Sequence, residues 1–189
     1  LCIGDNQCIR PVLFRTVPWI GSYFYCINPQ RKPFGDVRVR RALAMAIDRD
    51  SITTNILKGG ETSVGSLTPK NVNGYTAKAT LQFDPEAAKA LLAEAGFPDG
   101  KSFPEFSILY NTSEKHKIIA VVIQQMWKEH LGINVTLENQ DWKVYLASTS
   151  NTTMNYDVSR AGWIGDFVDP VNFLECFTSN NGNNRTGWS

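Results

Sequence analysis

The sequence predicts an α/β domain with a mixed β-sheet flanked by helices, and three observations carry that prediction. Short apolar runs of strand length alternate with longer stretches of helical periodicity. The helical stretches open on capping residues and close on glycine. The 189 residues, 42% of them hydrophobic, supply a sizeable core for one domain and little room for two.

The first strand is GSYFYCIN (Gly21 to Asn28), an aromatic run stopped by Asn28-Pro29 and read as buried on both faces. Asp36 is the expected N-cap of DVRVRRALAMAID, with Val39, Leu43, Ala46 and Ile47 as the apolar stripe. A second short helix runs from Asp48 or Asp50 to Leu57 and is closed by Gly59-Gly60. ETSVGSLTPKNVNGYTAKAT, rich in Gly, Ser, Thr and Asn, reads as a long loop. DPEAAKALLAEAG is the clearest helix: Asp84 caps it, Pro85 suits its first position, and Gly96 ends it.

Further on, FSILYN (Phe106 to Asn111) reads as a strand. Asn111 and Glu114 have the spacing of a capping box for the helix striped by Ile119, Val122, Ile123, Met126 and Trp127 and ended by Gly132. INVTLEN alternates with the period of a strand, QDWKVYLAS starts a short helix near Asp141, NYDVSRAGW is a strand, and Asp169-Pro170 opens a last helix through Phe177.

The net charge of +1 lacks the concentrated basic excess of a nucleic-acid-binding domain, and VRVRR reads as a solvated helix face. There is no apolar run of ~18 residues to span a membrane. LCIGDNQCIR has neither the positive end nor the long apolar stretch of a signal peptide. The end at NNRTGWS, without a closing helix or strand, gives the expectation of a piece of something longer. Cys2, Cys8, Cys26 and Cys176 show no CxxC spacing, and with two histidines in the chain a structural zinc site is not expected. Four cysteines allow three pairings, and Cys26 and Cys176 read most simply as buried thiols.

One stretch concentrates binding chemistry. RAGWIGDFVDP (Arg160 to Pro170) sets a cation, an indole, two aspartates and two glycines at a strand end that leads into a helix. Asp166 suits either a turn cap or a ligand's ammonium group, and Trp163 either core or a ligand wall. Arg160, if buried, needs an internal ion pair or a ligand. Trp142, after the polar NQD, is badly placed for a core anchor, and His116 on a first helical turn reads by default as a half-buried, satisfied histidine. No GxSxG, HExxH or Walker-type spacing supports catalysis. Aromatic walls, a carboxylate, a cation and exposed strand backbone together suit capture of an extended peptide.

The residues also resemble a known family. GSYFYCINPQRKPFGDVRVRRALAMAIDRDSI, DPEAAKALLAEAGFPDG, LYNTSEKHK, NQDWK and RAGWIGD are similar, in that order, to the second lobe of bacterial extracytoplasmic oligopeptide-binding proteins, the family 5 solute receptors of peptide ABC transporters. The last three motifs point to the oligopeptide and murein-peptide branch. The resemblance covers residues 18–189 and leaves 1–17 as an atypical N-terminal segment. It implies one lobe of a periplasmic-binding-protein type II fold, within a larger two-lobe receptor.

By this resemblance Asp166 takes the peptide's α-ammonium group, and the backbone of Ala161, Gly162, Trp163 and Ile164 pairs with its main chain. Trp163 and Trp142 wall side-chain pockets, Arg160 lies at the cleft, and Asn111 and His116 lie near the carboxylate end. The stretch ASTSNTTMN (Ala147 to Asn155) departs from the family: it is uncharged where close relatives often carry a basic residue. The implied protein is a monomeric binding protein, not an enzyme, outside the cytoplasm, with short peptides and transporter permease subunits as partners and no cofactor or metal. The alternatives are a murein-peptide or dipeptide receptor of the same family, or, from other classes, a hydrolase or metal-dependent enzyme using His116 and the aspartates, or a structural or adhesive surface domain.

Overall fold

The protein was analysed as a computed structural model, and the structure describes residues 19–188. Cys2, Cys8 and the boundary expected after residue 17 lie outside the described residues. Strands β1 (Gly21–Ile27), β2 (Phe106–Asn111), β3 (Val135–Gln140) and β4 (Val158–Ile164) form one mixed sheet in the order β1-β4-β2-β3. β2, β3 and β4 run parallel, and β1 pairs antiparallel along the whole of β4, from Gly21 opposite Ile164 to Ile27 opposite Val158. β2 covers far less of β4, with only Ile108 opposite Val158 and Leu109 opposite Ser159.

Capping aspartates start the helices where the sequence places them. Asp36 accepts from the Arg38 N–H to begin α1 (Val37–Met45). Asp48 accepts from Ser51 to begin α2 (Arg49–Ser51), which continues as a π-helical turn over Ile52–Leu57. Asp84 caps α3 (Pro85–Glu94) and Asp141 caps α5 (Trp142–Ser148). Asp169 accepts from Val171 at the start of α6 (Val171–Leu174), which tightens to a 3₁₀ turn over Glu175–Phe177.

Three expectations are corrected. β1 is an edge strand and not buried on both faces: Cys26 is its one buried residue, and Tyr23 is 38% exposed. Lys58, at φ 52°, and not Gly59 takes the left-handed position after the π turn, donating to Thr53 O. Asn111 is not part of a capping box. Helix α4 (Glu114–Leu131) starts after Ser113, and strand pairing with Gln140 holds Asn111 in β2.

In the last turn of α1 the Ala42 carbonyl keeps its bond from the C-cap residue, and the three after it, which have no intrahelical partner by geometry, are satisfied from elsewhere. The Ala46 N–H serves Ala42 O, the Trp127 indole serves Leu43 O at 2.8 Å, the Arg49 guanidinium serves Ala44 O, and the Asp84 N–H serves Met45 O. α1, α3 and α4 pack their apolar stripes on one face of the sheet, around Leu43, Leu92, Ile108, Ile123, Trp127 and Val158. A smaller cluster of Cys26, Leu109, Tyr145, Met154 and Tyr156 lies on the other face. Cys26 and Cys176 are buried free thiols, and burial pushes the Cys26 thiol up to about 12. The guanidiniums of Arg38 and Arg40 are engaged by Asp36 and by backbone carbonyls, as a solvated helix face predicts. Among the described residues no helix is long and apolar enough to cross a membrane.

Candidate functional site

Parallel strands align their C-terminal ends, and in open α/β sheets that rim is where ligands bind. Here the rim gathers Asn111 at the end of β2, Trp142 at the start of α5 just after β3, and Arg160 to Asp166 along and beyond β4. His116, in the first turn of α4, joins them from above the sheet.

Pairing with β1 divides β4 into two faces, since directly opposed residues share a face and successive residues alternate. Arg160 and Gly162 stand opposite Tyr25 and Tyr23 on one face. Ala161 and Trp163 stand opposite Phe24 and Ser22 on the other, and Ala161 packs there against the Tyr145 cluster.

The first face carries a cationic cluster. The Arg160 guanidinium carbon sits 4.9 Å from the centre of the Tyr23 ring, and its Nη1 donates to Asn111 Oδ1 at 3.3 Å. Tyr23 also faces His116, with ring centres 5.6 Å apart and Oη 3.3 Å from Nδ1. Arg160 Nε and Tyr25 Oη are buried without a hydrogen-bond partner among the described residues. None of the ion pairs among those residues involves Arg160, which removes the internal ion pair and leaves the guanidinium without a counter-ion. Burial pushes the Tyr23 and Tyr25 hydroxyls up. Burial first, then the charges of Arg160 and Lys115, push His116 down to about 4. This face is therefore set for an anion: a permanent cation, a neutral imidazole and two protonated phenols.

The backbone of β4 is the second resource. In an antiparallel ladder alternate residues turn both main-chain groups toward the partner strand. Asn28 N donates to Asp157 O and Gly165 N donates to Ile20 O, so Ala161 and Trp163, in phase with them, spend their groups on β1. Gly162 and Ile164 face the side that β2 leaves uncovered. Both are exposed. Arg160 O, which points the same way, already accepts from the Tyr145 hydroxyl.

Beyond the strand end Asp166 is exposed, and its carboxylate has no hydrogen-bond or ion-pair partner among the described residues. Trp163 donates its indole N–H to Asn172 Oδ1 at 2.8 Å. Trp142 is 55% exposed and stacks on Tyr145, ring centres 5.8 Å apart and planes at 17°. Of the nine residues named from the sequence, Arg160, Asn111 and His116 form the anion-seeking face, Gly162, Ile164 and Asp166 the open edge, and Trp163 and Trp142 lie beside it; the expected four-residue backbone track is corrected, since Ala161 and Trp163 pair with β1 and Ala161 packs in the Tyr145 cluster. Tyr23, Tyr25, Tyr145 and Asn172 were not among those nine. The signal for the first two was present in the period-two repeat of tyrosine in SYFYC.

Residues 8–185 match the family described as bacterial extracellular solute-binding proteins, family 5 Middle. The chain belongs to this family. Among its family 5 relatives, the periplasmic oligopeptide-binding protein OppA of Salmonella typhimurium is 43% identical, over 90% of this chain and 32% of its own length. The periplasmic murein peptide-binding protein MppA of Escherichia coli is 41% identical, over 89% of this chain and again 32% of its own. The family 5 chain therefore spans about a third of the relatives it matches. Their names describe periplasmic binding proteins, not enzymes. The solved structure of the Escherichia coli murein tripeptide-binding protein superposes with a TM-score of 0.82 at 39% identity, covering 90% of this chain and 34% of that one. The Haemophilus influenzae OppA complex with the peptide RPPGFSPFR gives 0.78 at 37% identity, with the same coverage. These matches bear out the α/β mixed-sheet fold and the family expected from the motifs.

Proposed function

We propose that the chain is one lobe of an extracytoplasmic receptor that captures short peptides for an ABC transporter, anchoring the peptide's main chain and its α-ammonium group. The observation that carries this reading is the open edge of β4. Gly162 and Ile164 turn N–H and C=O groups toward an edge that no described strand covers, and Asp166, whose carboxylate has no partner among the described residues, stands just past the strand end. A peptide adding as a short strand meets backbone that does not depend on its sequence. Its free amine, common to every peptide, meets Asp166.

Trp163 and Trp142 flank this track with apolar surface that fits many side chains. At the other end Arg160, Asn111 and His116 form the face suited to an anion, and the peptide carboxylate is the anion available. The relatives bind peptides by name, and one is a complex with a nonapeptide. The same kinship supports delivery to permease subunits and placement outside the cytoplasm. Closure of a second lobe would bury the pair formed by Asp166 and the amine, raising the cost of leaving that charge unmatched to about 2–5 kcal/mol.

The test is calorimetry of the full-length receptor with a pool of short peptides and with the same pool N-acetylated. Free peptides should bind and acetylated ones should lose much of the affinity, with Asp166→Asn reproducing the loss. Equal binding of both pools would remove the amine from the reading.

A further inference from the structure

We infer that Asn172 is the positioning residue of the amine site, a role that rests on the reading of Asp166 above. Asn172 is 1% exposed, on the first turn of α6. Its side chain uses both ends. Oδ1 accepts from the Trp163 indole at 2.8 Å, and Nδ2 donates to the carbonyl of Phe167 at 3.2 Å. An indole N–H only donates and a carbonyl only accepts, so these two partners determine the orientation of the amide.

The two bonds straddle Asp166. One holds the last part of β4 at Trp163, and the other holds the residue directly after Asp166. Among the described residues no hydrogen bond orients the Asp166 carboxylate. Two backbone links flank it in the turn: Gly165 N–H to Ile20 O at 2.9 Å fixes the residue before it, and Asp169 N–H to Phe167 O at 3.0 Å holds the residue after it. Asn172 adds a side-chain bond to the same Phe167 carbonyl, and through the Trp163 indole it ties the wall at the strand end and the turn after the carboxylate to a single buried side chain. Its backbone is anchored in turn, the N–H donating to Asp169 O at 3.2 Å and the carbonyl accepting from the Cys176 thiol at 3.6 Å. Hydrogen-bond networks of this kind couple residues that do not touch, and a double-mutant cycle isolates the coupling.

The experiment measures the dissociation constants of trialanine and N-acetyl-trialanine in the full-length receptor, for wild type, Asn172→Ala, Asp166→Asn and the double variant. Asn172→Ala should shrink the preference for the free amine by about tenfold, and should change it no further once Asp166 is Asn. A merely structural role would weaken both peptides alike and leave the ratio unchanged, which would overturn the inference. If Asp166→Asn itself leaves the ratio at the wild-type value, the amine reading falls first; if only Asn172→Ala leaves it, the positioning role alone is wrong. Should Asn172→Ala not fold, Asn172→Ser carries the same ratio test, since its small polar side chain does not span both partners. Loss of the low-field shift of the Trp163 indole proton in an NMR spectrum verifies that the bond has been cut.

Discussion

Arg160 lies over the ring of Tyr23, with no carboxylate partner among the described residues and its Nε buried without an acceptor. A half-buried guanidinium held by a π face and one amide is costly to the unliganded fold and available to a ligand. Arg160→Met should leave the melting temperature of the free receptor unchanged or raised, the stability change staying within about 1 kcal/mol of zero or favouring the variant. The same change should weaken binding of short peptides by about 1.5–3 kcal/mol, as for loss of a charged hydrogen bond. Thermal denaturation beside calorimetry separates the two effects, and a large destabilisation with unchanged affinity would contradict the account.

His116 gives a pH prediction whose sign follows from burial. Its folded value is pushed from 6.5 down to about 4, so between these values the unfolded chain binds more protons than the folded one. Stability is then fully present above about 6.5, declines as the pH falls toward 4, and levels off below. The imidazole is only partly buried, so the effect amounts to no more than about 1 kcal/mol. His116→Gln should flatten the urea-unfolding midpoint across this window, and an NMR titration should find the His116 ring neutral at pH 6.

Gly162 is a place where space is reserved for function. An added Cβ would meet Arg160 Nη2 at 3.2 Å and the Ser22 carbonyl at 3.3 Å. The guanidinium is the end of a flexible side chain and moves aside, displacing it from Tyr23. Gly162→Val should therefore hold stability within about 1 kcal/mol while lowering peptide affinity at least tenfold. Tryptophan-fluorescence titration with a tripeptide measures the second effect.

Trp127→Phe tests how α1 is terminated. It leaves the Leu43 carbonyl without the indole donor in a site where both residues are buried. An unsatisfied buried acceptor costs about 1–3 kcal/mol, and urea denaturation of the variant should show a loss of that size with peptide specificity unchanged.

The parts of the fold most readable from the sequence were those governed by local chemistry. Asp36, Asp84 and Asp141 each cap the helix they precede, because a carboxylate before a helical stripe has few other uses. Asn111-Thr112-Ser113 misled because each of the three is a competent cap; the pairing of β2 with β3 extends through Asn111 and pushes the helix start past Ser113. The aromatic run of β1 looks alike whether a strand is central or at the edge, and only the sheet order distinguishes them. At the site, Arg160 and Asp166 stood out within one motif. Tyr23 and Tyr145 did not, because antiparallel pairing and a side chain reaching across from α5 bring them to Arg160 from distant parts of the chain.

The unequal cover of β4, complete on the β1 side and two residues deep on the β2 side, has a consequence for solubility. Backbone that accepts any peptide also accepts any unfolded strand, so a receptor awaiting its ligand carries a template for edge-to-edge association. Here that template is kept short. Tyr145 closes it at Arg160, the sheet ends at Ile164, and the charge of Asp166 stands beyond. Among the described residues the open edge is confined to Gly162 and Ile164, and a short edge is a poor template for such association.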